Sequence, residues 1–429
     1  MIALNFNLRK KVEFFLYFNL VFLYVFSPYL ILSGIVINIP FLIIFFLCFK
    51  NLCRFKNNYF NFDEIGLLLV YLIPFMYFIT IGIFFQNFDF VVLIEFVLAV
   101  LSFFAVRELV FIFKERFGNN CKLFLMVLFL VGVFHALIML STFFSEVVRN
   151  IVYSFVYINE VGVEFLELNY RSPGLTTAGG DGLSFIQASA FVIGVYLFLH
   201  QSKTMTISSY LLYIISFGVL VLSVMLSGRT GFIIIIIGLM LVLIYSGNRI
   251  HIINKKFTLR ALSLLVFAIF FLVLTFFILS QSEYSKLFFR VFEIILNFSS
   301  SGTLSSTSTT DLSSMFFLPE LESHLLFGNG NYGRDPGLPF LSSDIGYVRV
   351  IFGGGLVGGF LAFSLLCFYC LYSFIKSSVH AEKFATLFLC LSIIVMNIKV
   401  LHYFPSSLGI KFLFLIALFI NTKVKVKYV

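Results

Sequence analysis

Arginine carries the most legible chemistry in this chain. Arg229 lies in the string Ser227-Gly228-Arg229-Thr230-Gly231 between two strongly apolar runs, and Arg171 lies in Tyr-Arg-Ser-Pro-Gly at 170–174. Arg290, Arg334 and Arg349 follow in the second half. A guanidinium stays charged at any ordinary pH and holds phosphate oxygens through two parallel N–H donors, so several of them on one face predict a multiply charged anion. Glycines at 174, 179, 180, 182, 328, 330 and 333 permit close backbone approach and offer N–H donors. Gly182 is therefore grouped with Arg171, Arg334 and Arg349 as a candidate binding residue, beside Arg229. No Gly-Lys-Ser/Thr is present, so neither glycine cluster is a nucleotide-binding phosphate loop.

Acid–base chemistry has one leading candidate. Asp344 sits where a polar segment enters an apolar helix, which suits a general base and equally suits a helix cap. His324 is the second choice for the base, with loop bonding as its plainer role, and Tyr347 joins the candidate binding residues one helical turn beyond Asp344. No His/Cys/Asp cluster has metal-ligand spacing and no serine sits in a nucleophile elbow, so the residues call for neither a metal nor a cofactor. Cys367-Phe-Tyr-Cys370 lies in an apolar helix with no second ligand pair and reads as packing.

These residues need a scaffold, and composition fixes its class. Hydrophobic residues make up 61% and charged residues 11% of the 429 residues, with a mean hydropathy of +1.07. A bilayer core about 30 Å thick needs roughly 20 apolar residues per helix, and runs this long and unbroken exclude barrel strands. The expectation is an all-α polytopic transmembrane bundle, one integral membrane domain over 1–429. About twelve spans are read, near 12–28, 30–49, 65–85, 91–106, 123–143, 184–200, 208–226, 231–246, 261–280, 345–375, 384–403 and 409–421. With the N-terminus cytoplasmic, the inner segments hold about 20 of the 29 Lys and Arg by the positive-inside rule. Both termini and the loops at 50–64, 107–122 and 247–260 are then cytoplasmic. The net charge of +9 is a topology signal and an attraction to anionic inner-leaflet lipid, not a nucleic-acid footprint. The apolar run after Arg9-Lys10-Lys11 is too long for a signal peptide and lacks a small-x-small cleavage site, so it reads as an uncleaved first helix.

Two outward segments are long, about 144–183 and 281–344, and long structured loops over a membrane domain carry binding or catalysis. Within the first, 144–168 is amphipathic and reads as an interfacial helix. Within the second, a Ser/Thr-rich tract at 299–310 reads as a flexible stretch. The helix from 345 is glycine-rich, and Gly355 with Gly359 forms a Gly-x-x-x-Gly pair whose expected use is close helix packing.

In these strings the chain resembles the bacterial O-antigen polymerases of the Wzy type, relatives of the O-antigen ligases. Arg171 and Gly182 match the family's Arg-x10-Gly spacing in the first outer loop. Ser227 to Gly231 matches its Ser-x-Arg-Thr-Gly-like turn, and Gly328 to Gly359 matches its Gly-x-Gly segment, polar turn and Gly-rich helix. Ligases commonly present a His-Asn pair where this chain has Ser343-Asp344, and Arg334 meets Ile345, not Gly, at the corresponding spacing. The resemblance implies a glycosyltransferase of lipopolysaccharide biosynthesis in the bacterial inner membrane. Its substrate is an oligosaccharide on undecaprenyl diphosphate, its surroundings are membrane lipids, and a chain-length regulator is an implied partner. Asp344 and Arg229 take the catalytic roles, as base and as stabiliser of the leaving diphosphate. An O-antigen ligase is the alternative within the same chemistry. A lipid-linked oligosaccharide flippase or transporter is the alternative from another class, and the chain lacks the internal repeat that a transporter shows.

Overall fold

The computed structural model describes the chain apart from residues 1–6, 27, 55–59, 169–170, 202–204, 248–257, most of 265–284, 304–305, 334–336 and 423–429. It is an all-α membrane protein. Six described helices are long and apolar enough to cross a bilayer by length and composition: Phe62–Phe84, Phe90–Phe117, Cys121–Phe144, Asp181–Leu199, Ile207–Ser227 and Gly346–Lys376. The chain forms two compact units, residues 1–43 with 120–305 and residues 44–119 with 306–429.

In the first unit, α1 (Leu8–Phe26) leads into a hairpin of β1 (Tyr29–Leu32) and β2 (Ile35–Asn38). This corrects the expected span at 30–49. Residues 29–38 are rich in β-branched and leucyl side chains around Ser33-Gly34, both at positive φ (51° and 80°), which is the geometry of a two-residue hairpin turn. Helix α2 (Ile39–Cys53) therefore begins later and is short. Further helices of the unit among the described residues include α5 (Cys121–Phe144), α6 (Glu146–Phe155), α7 (Glu160–Glu167), α8 (Asp181–Leu199), α9 (Ile207–Ser227), α10 (Thr230–Gly247) and α11 (Ser285–Ser301). Helix α8 is almost wholly buried and packs on α5, α9 and α10. Small residues make this possible: a Cβ at Gly132 of α5 would lie 2.3 Å from Ala190 Cβ. The expected span at 261–280 falls mostly outside the described residues.

The two ends of α8 differ in charge. Its C-terminal carbonyls are met by cations, with Arg260 Nη1 donating to Phe198, Leu199 and Gln201 and Lys122 Nζ donating to the His200 carbonyl. A cation there complements the helix dipole and fills orphan carbonyls. At the end where α8 begins, Arg149 performs the same service for α5, donating to the Thr142 and Phe143 carbonyls. Helix α6 carries Val147, Ile151 and Phe155 exposed along one face, as the amphipathic reading of 144–168 expects.

The second unit holds the rest of α2, then α3 (Phe62–Phe84), α4 (Phe90–Phe117), α12 (Thr307–Ser314), α13 (Glu322–Phe327), α14 (Gly346–Lys376), α15 (His380–Met396) and α16 (Leu408–Asn421). The expected span at 384–403 stops at Met396, because Asn397 turns the chain: its side chain donates to the Ile393 carbonyl and accepts from His402 N–H. A buried ionic network ties α2, α3 and α4 together. Arg107 pairs with Glu64 at 3.3 Å, and Glu108 takes Lys50 and Arg54 at 3.4 and 3.3 Å. Charges at that depth persist only when paired.

The expected Gly355/Gly359 packing pair is corrected. Gly355 has φ 67° and breaks α14. The segment after α13 docks into the break: Asn329 N–H donates to the Phe352 carbonyl at 2.7 Å and Gly330 N–H to the Gly353 carbonyl at 3.0 Å. A Cβ on Gly355 would lie 2.2 Å from the Leu326 carbonyl oxygen, whereas Gly359 meets only Val350, at 3.4 Å. Gly355 admits a loop, whereas Gly354 and Gly358 lie against Phe78 of α3.

Candidate functional site

In the first unit the site is built on the meeting of three segments. The Ser172 N–H donates to the Leu226 carbonyl at 3.2 Å, joining the loop that carries Arg171 to the C-terminal turn of α9. Ser184 Oγ of α8 donates to the Gly228 carbonyl at 2.7 Å, and Thr230 Oγ1 donates to Asp181 Oδ1 at 2.7 Å. The Ser227–Gly231 turn is thus pinned to the first turn of α8. The positive ends of α8 and α10 both open there, and a carboxylate in the first turn of α8 complements its dipole.

Arg229 projects from this turn to α11. Its Nη1 donates to the Arg290 carbonyl at 3.1 Å and forms an ion pair with Glu293. Each of the two side chains is 18% exposed. Arg171 lies with its guanidinium 4.5 Å above the Phe165 ring, and Gly182 occupies the first turn of α8. The 171–174 loop is held from below by His135, a fully buried residue of α5. Leu175 N–H donates to its Nε2 at 3.2 Å, and its Nδ1 lies 2.9 Å from Gln187 Nε2. Gly174 comes so close that a Cβ would lie 2.6 Å from the imidazole.

In the second unit Arg349 organises the segment before α14. Its Nε donates to the Ser343 carbonyl at 2.7 Å, its Nη1 to the Gly333 and Tyr332 carbonyls at 3.3 and 3.4 Å, and its Nη2 to Asp344 Oδ1 at 3.2 Å. The Arg349 side chain is 14% exposed and that of Asp344 is 67% exposed. Asp344 does not cap α14: the N-cap is Ile345, with no side-chain cap bond. The carboxylate is therefore oriented by one arginine and otherwise open. Tyr347 uses its hydroxyl on the Ile394 carbonyl at 2.7 Å, and half-buried His324 meets Phe85 edge-on at 5.1 Å. Arg334 lies outside the described residues. Beneath this segment Tyr332 is fully buried against Gly353, where burial first, and then Asp89, Tyr77 and Tyr403, push its phenol well above its ordinary pKa.

Two residues of the first site escaped the sequence. Glu293 has a signal in retrospect, since Arg290 and Glu293 stand three apart in an amphipathic segment, a spacing that places them side by side on a helix. His135 has none, being one polar residue in an apolar run. Among the described residues no group of three or more His, Cys, Asp or Glu is placed to hold a metal ion. No family model matches this chain, and no curated protein or solved structure is similar to it.

Proposed function

We propose that this protein polymerises oligosaccharide repeat units carried on undecaprenyl diphosphate, by glycosyl transfer at the outer face of the bacterial inner membrane. In this reading about twelve helices span the membrane, both termini are cytoplasmic, and the segments 144–183 and 281–344 face outward. The observation that supports it is the Arg229–Glu293 pair, seated at the start of two helices with Arg290 and Asp181 alongside. An incoming diphosphate competes with Glu293 for the guanidinium and meets two positive helix ends, so the site suits a leaving group that gains negative charge.

For the acceptor we propose Asp344, in the second unit, as the base. The acceptor sugar hydroxyl attacks the anomeric carbon, the bond to the diphosphate oxygen breaks, and Asp344 takes the hydroxyl proton. Arg349 holds that carboxylate in place without enclosing it. The decisive experiment is deletion of the gene followed by analysis of the surface polysaccharide. A single repeat on each lipid core is the expected result, whereas polymer absent from the core altogether points to a ligase or flippase. Topology is checked on a cysteine-free background with single cysteines at 165 and 115. A membrane-impermeant thiol reagent added from outside is expected to reach the first only, and labelling of 115 alone overturns the orientation.

A further inference from the structure

We infer that the second unit holds a separate binding site for a phosphate group with a neighbouring hydroxyl, the chemistry of a glycerol-phosphate lipid headgroup. The site is a cavity of about 370 Å³ where α4, α14, α15 and α16 end or begin. It lies at the opposite end of α14 from Asp344 and is independent of the reaction proposed above.

Two observations point to a ligand. Thr422 and Asn421 line the cavity, each only 2% exposed, and neither Thr422 Oγ1 nor Asn421 Oδ1 has a hydrogen-bond partner among the described residues. Buried polar atoms left this way cost free energy that a bound group recovers. Asn421 is held rigidly by its other end, since Nδ2 donates to Tyr369 Oη, Ser373 Oγ and the Ala417 carbonyl at 2.8, 3.1 and 3.0 Å. Its oxygen and the Thr422 hydroxyl lie covered at the cavity wall, an acceptor and a donor that a bound headgroup would draw on as the wall adjusts.

Two lysines and one carboxylate stand in the cavity wall. The Lys114 and Lys376 side chains both line it. Lys114 Nζ is anchored on the Thr422 carbonyl at 2.7 Å, and Lys376 is steadied by Asp63 and lies 5.5 Å from the Tyr372 ring. The wall's carboxylate, Glu382, already accepts from Ser377 Oγ at 2.6 Å. Helix α15 starts at the rim with Val379 as its N-cap and no side-chain cap bond, so its first-turn N–H groups add donors. This end of the unit carries Lys50, Arg54, Lys114 and Lys376, which the charge asymmetry assigns to the cytoplasmic leaflet, where anionic headgroups are abundant.

The test uses the full protein in phosphatidylcholine nanodiscs, with and without phosphatidylglycerol, and separately with added inorganic phosphate. Retained lipid is counted by native mass spectrometry, and thermal unfolding is followed in parallel. Phosphatidylglycerol is expected to stay bound and to raise the unfolding midpoint, because a ligand that binds only the folded state stabilises it. Protection by phosphate alone assigns the site to a free anion. Protection by phosphatidylglycerol alone assigns it to the headgroup. Two variants report on the site itself: Thr422→Val removes the buried hydroxyl, and Ser378→Trp, at an exposed position on the wall, blocks the entrance. Each is expected to weaken binding by roughly ten-fold, the worth of one charge-assisted hydrogen bond, with an unchanged midpoint in phosphatidylcholine. Binding unaltered in both variants, or no response of the wild type to either probe, overturns the inference.

Discussion

The two charged clusters solve the same physical problem in opposite ways. Around Arg229 both partners of the ion pair are mostly covered, each side chain 18% exposed, and the cation is held by an acid from another segment. Around Asp344 the cation is covered and the acid is open, 14% against 67% exposed. Arg349 distributes its N–H groups over the Ser343, Gly333 and Tyr332 carbonyls as well as Asp344, so most of its hydrogen bonding serves the backbone. Arg229 gives Nη1 to one backbone carbonyl, that of Arg290, as well as to Glu293. Arg349 cannot leave its carbonyls without releasing the loop. The comparison teaches that partial burial among apolar helices does not by itself make an arginine a ligand-binding residue. What its other donors hold decides between binding and scaffolding.

The largest expected effect comes from removing the scaffold of the second cluster. Gly355→Ala puts a Cβ against the Leu326 carbonyl at 2.2 Å and a side chain at φ 67°. Backbone cannot yield as a side-chain tip does, so the loop that carries the Arg349 acceptors must undock, at a cost of about 3 kcal/mol or more. Loss of the monodisperse peak in fluorescence-detected size exclusion is expected, whereas Gly359→Ala, which meets only Val350, should elute as wild type. Equal behaviour of the two variants would break the docking account. Next in size is Asp344→Asn. The carboxylate is mostly exposed, so folding should be untouched, while polymer formation falls by roughly 10²–10⁴-fold, the usual worth of general acid–base catalysis. A well-folded variant making polymer of normal length removes Asp344 from the reaction and leaves His324 as the next base to test.

Arg229 then sharpens the contrast. Arg229→Lys keeps the charge but loses the planar fork, and a drop in polymer formation of roughly 10²–10³-fold is expected for a lost stabiliser of developing charge. The exchange variant Arg229→Glu with Glu293→Arg restores the pair and should restore folding, measured by the unfolding midpoint, without restoring polymer. If it restores both, Arg229 is a scaffold like Arg349, and the distinction between the clusters fails.

The sequence discloses the scaffold of this molecule better than its contacts, for a physical reason. Length and hydropathy announce helices in lipid, and Phe62–Phe84, Cys121–Phe144 and Ile207–Ser227 lie close to the expected spans, whereas Phe90–Phe117 runs on through much of the expected loop at 107–122. Residues 29–38 mislead because a β-branched apolar run satisfies a hydropathy reading equally well as helix or hairpin, and only the positive φ at Ser33-Gly34 separates the two. Arg229 and Asp344 stand out as charges in apolar surroundings. Their partners obey different rules: Arg349 is five residues from Asp344, within reach of a local reading, whereas Glu293 comes from 64 residues beyond Arg229, across a tertiary contact that no local pattern encodes. The glycines of α14 illustrate the same limit. Gly355 and Gly359 carry a helix-packing spacing, but which side of a glycine is filled, by helix or by loop, is decided by residues 326–330.

The smallest expected effect isolates the anchor of the second cluster. Tyr332 presents its backbone carbonyl to Arg349 and buries its ring against Gly353, yet its hydroxyl has no hydrogen-bond partner among the described residues. Packing therefore comes from the ring, and the hydroxyl is a buried polar atom that contributes nothing. Tyr332→Phe keeps the ring and the carbonyl, so the unfolding midpoint at neutral pH should hold or rise slightly. Alkali tests the same point with a definite sign. The folded pKa of Tyr332 lies well above 10.0 because burial disfavours the phenolate, with Asp89 and the neighbouring tyrosines adding to it. An unfolded chain loses that proton near pH 10 while the folded one keeps it, so the linked stability is whole below about pH 10 and declines as pH rises from there towards the folded pKa. Phenylalanine removes this proton from the balance. The variant's midpoint should fall less steeply than the wild type's between about pH 9.5 and 11. Parallel decline of the two would mean that the phenol titrates alike folded and unfolded, and that the ring does not hold its hydroxyl away from water.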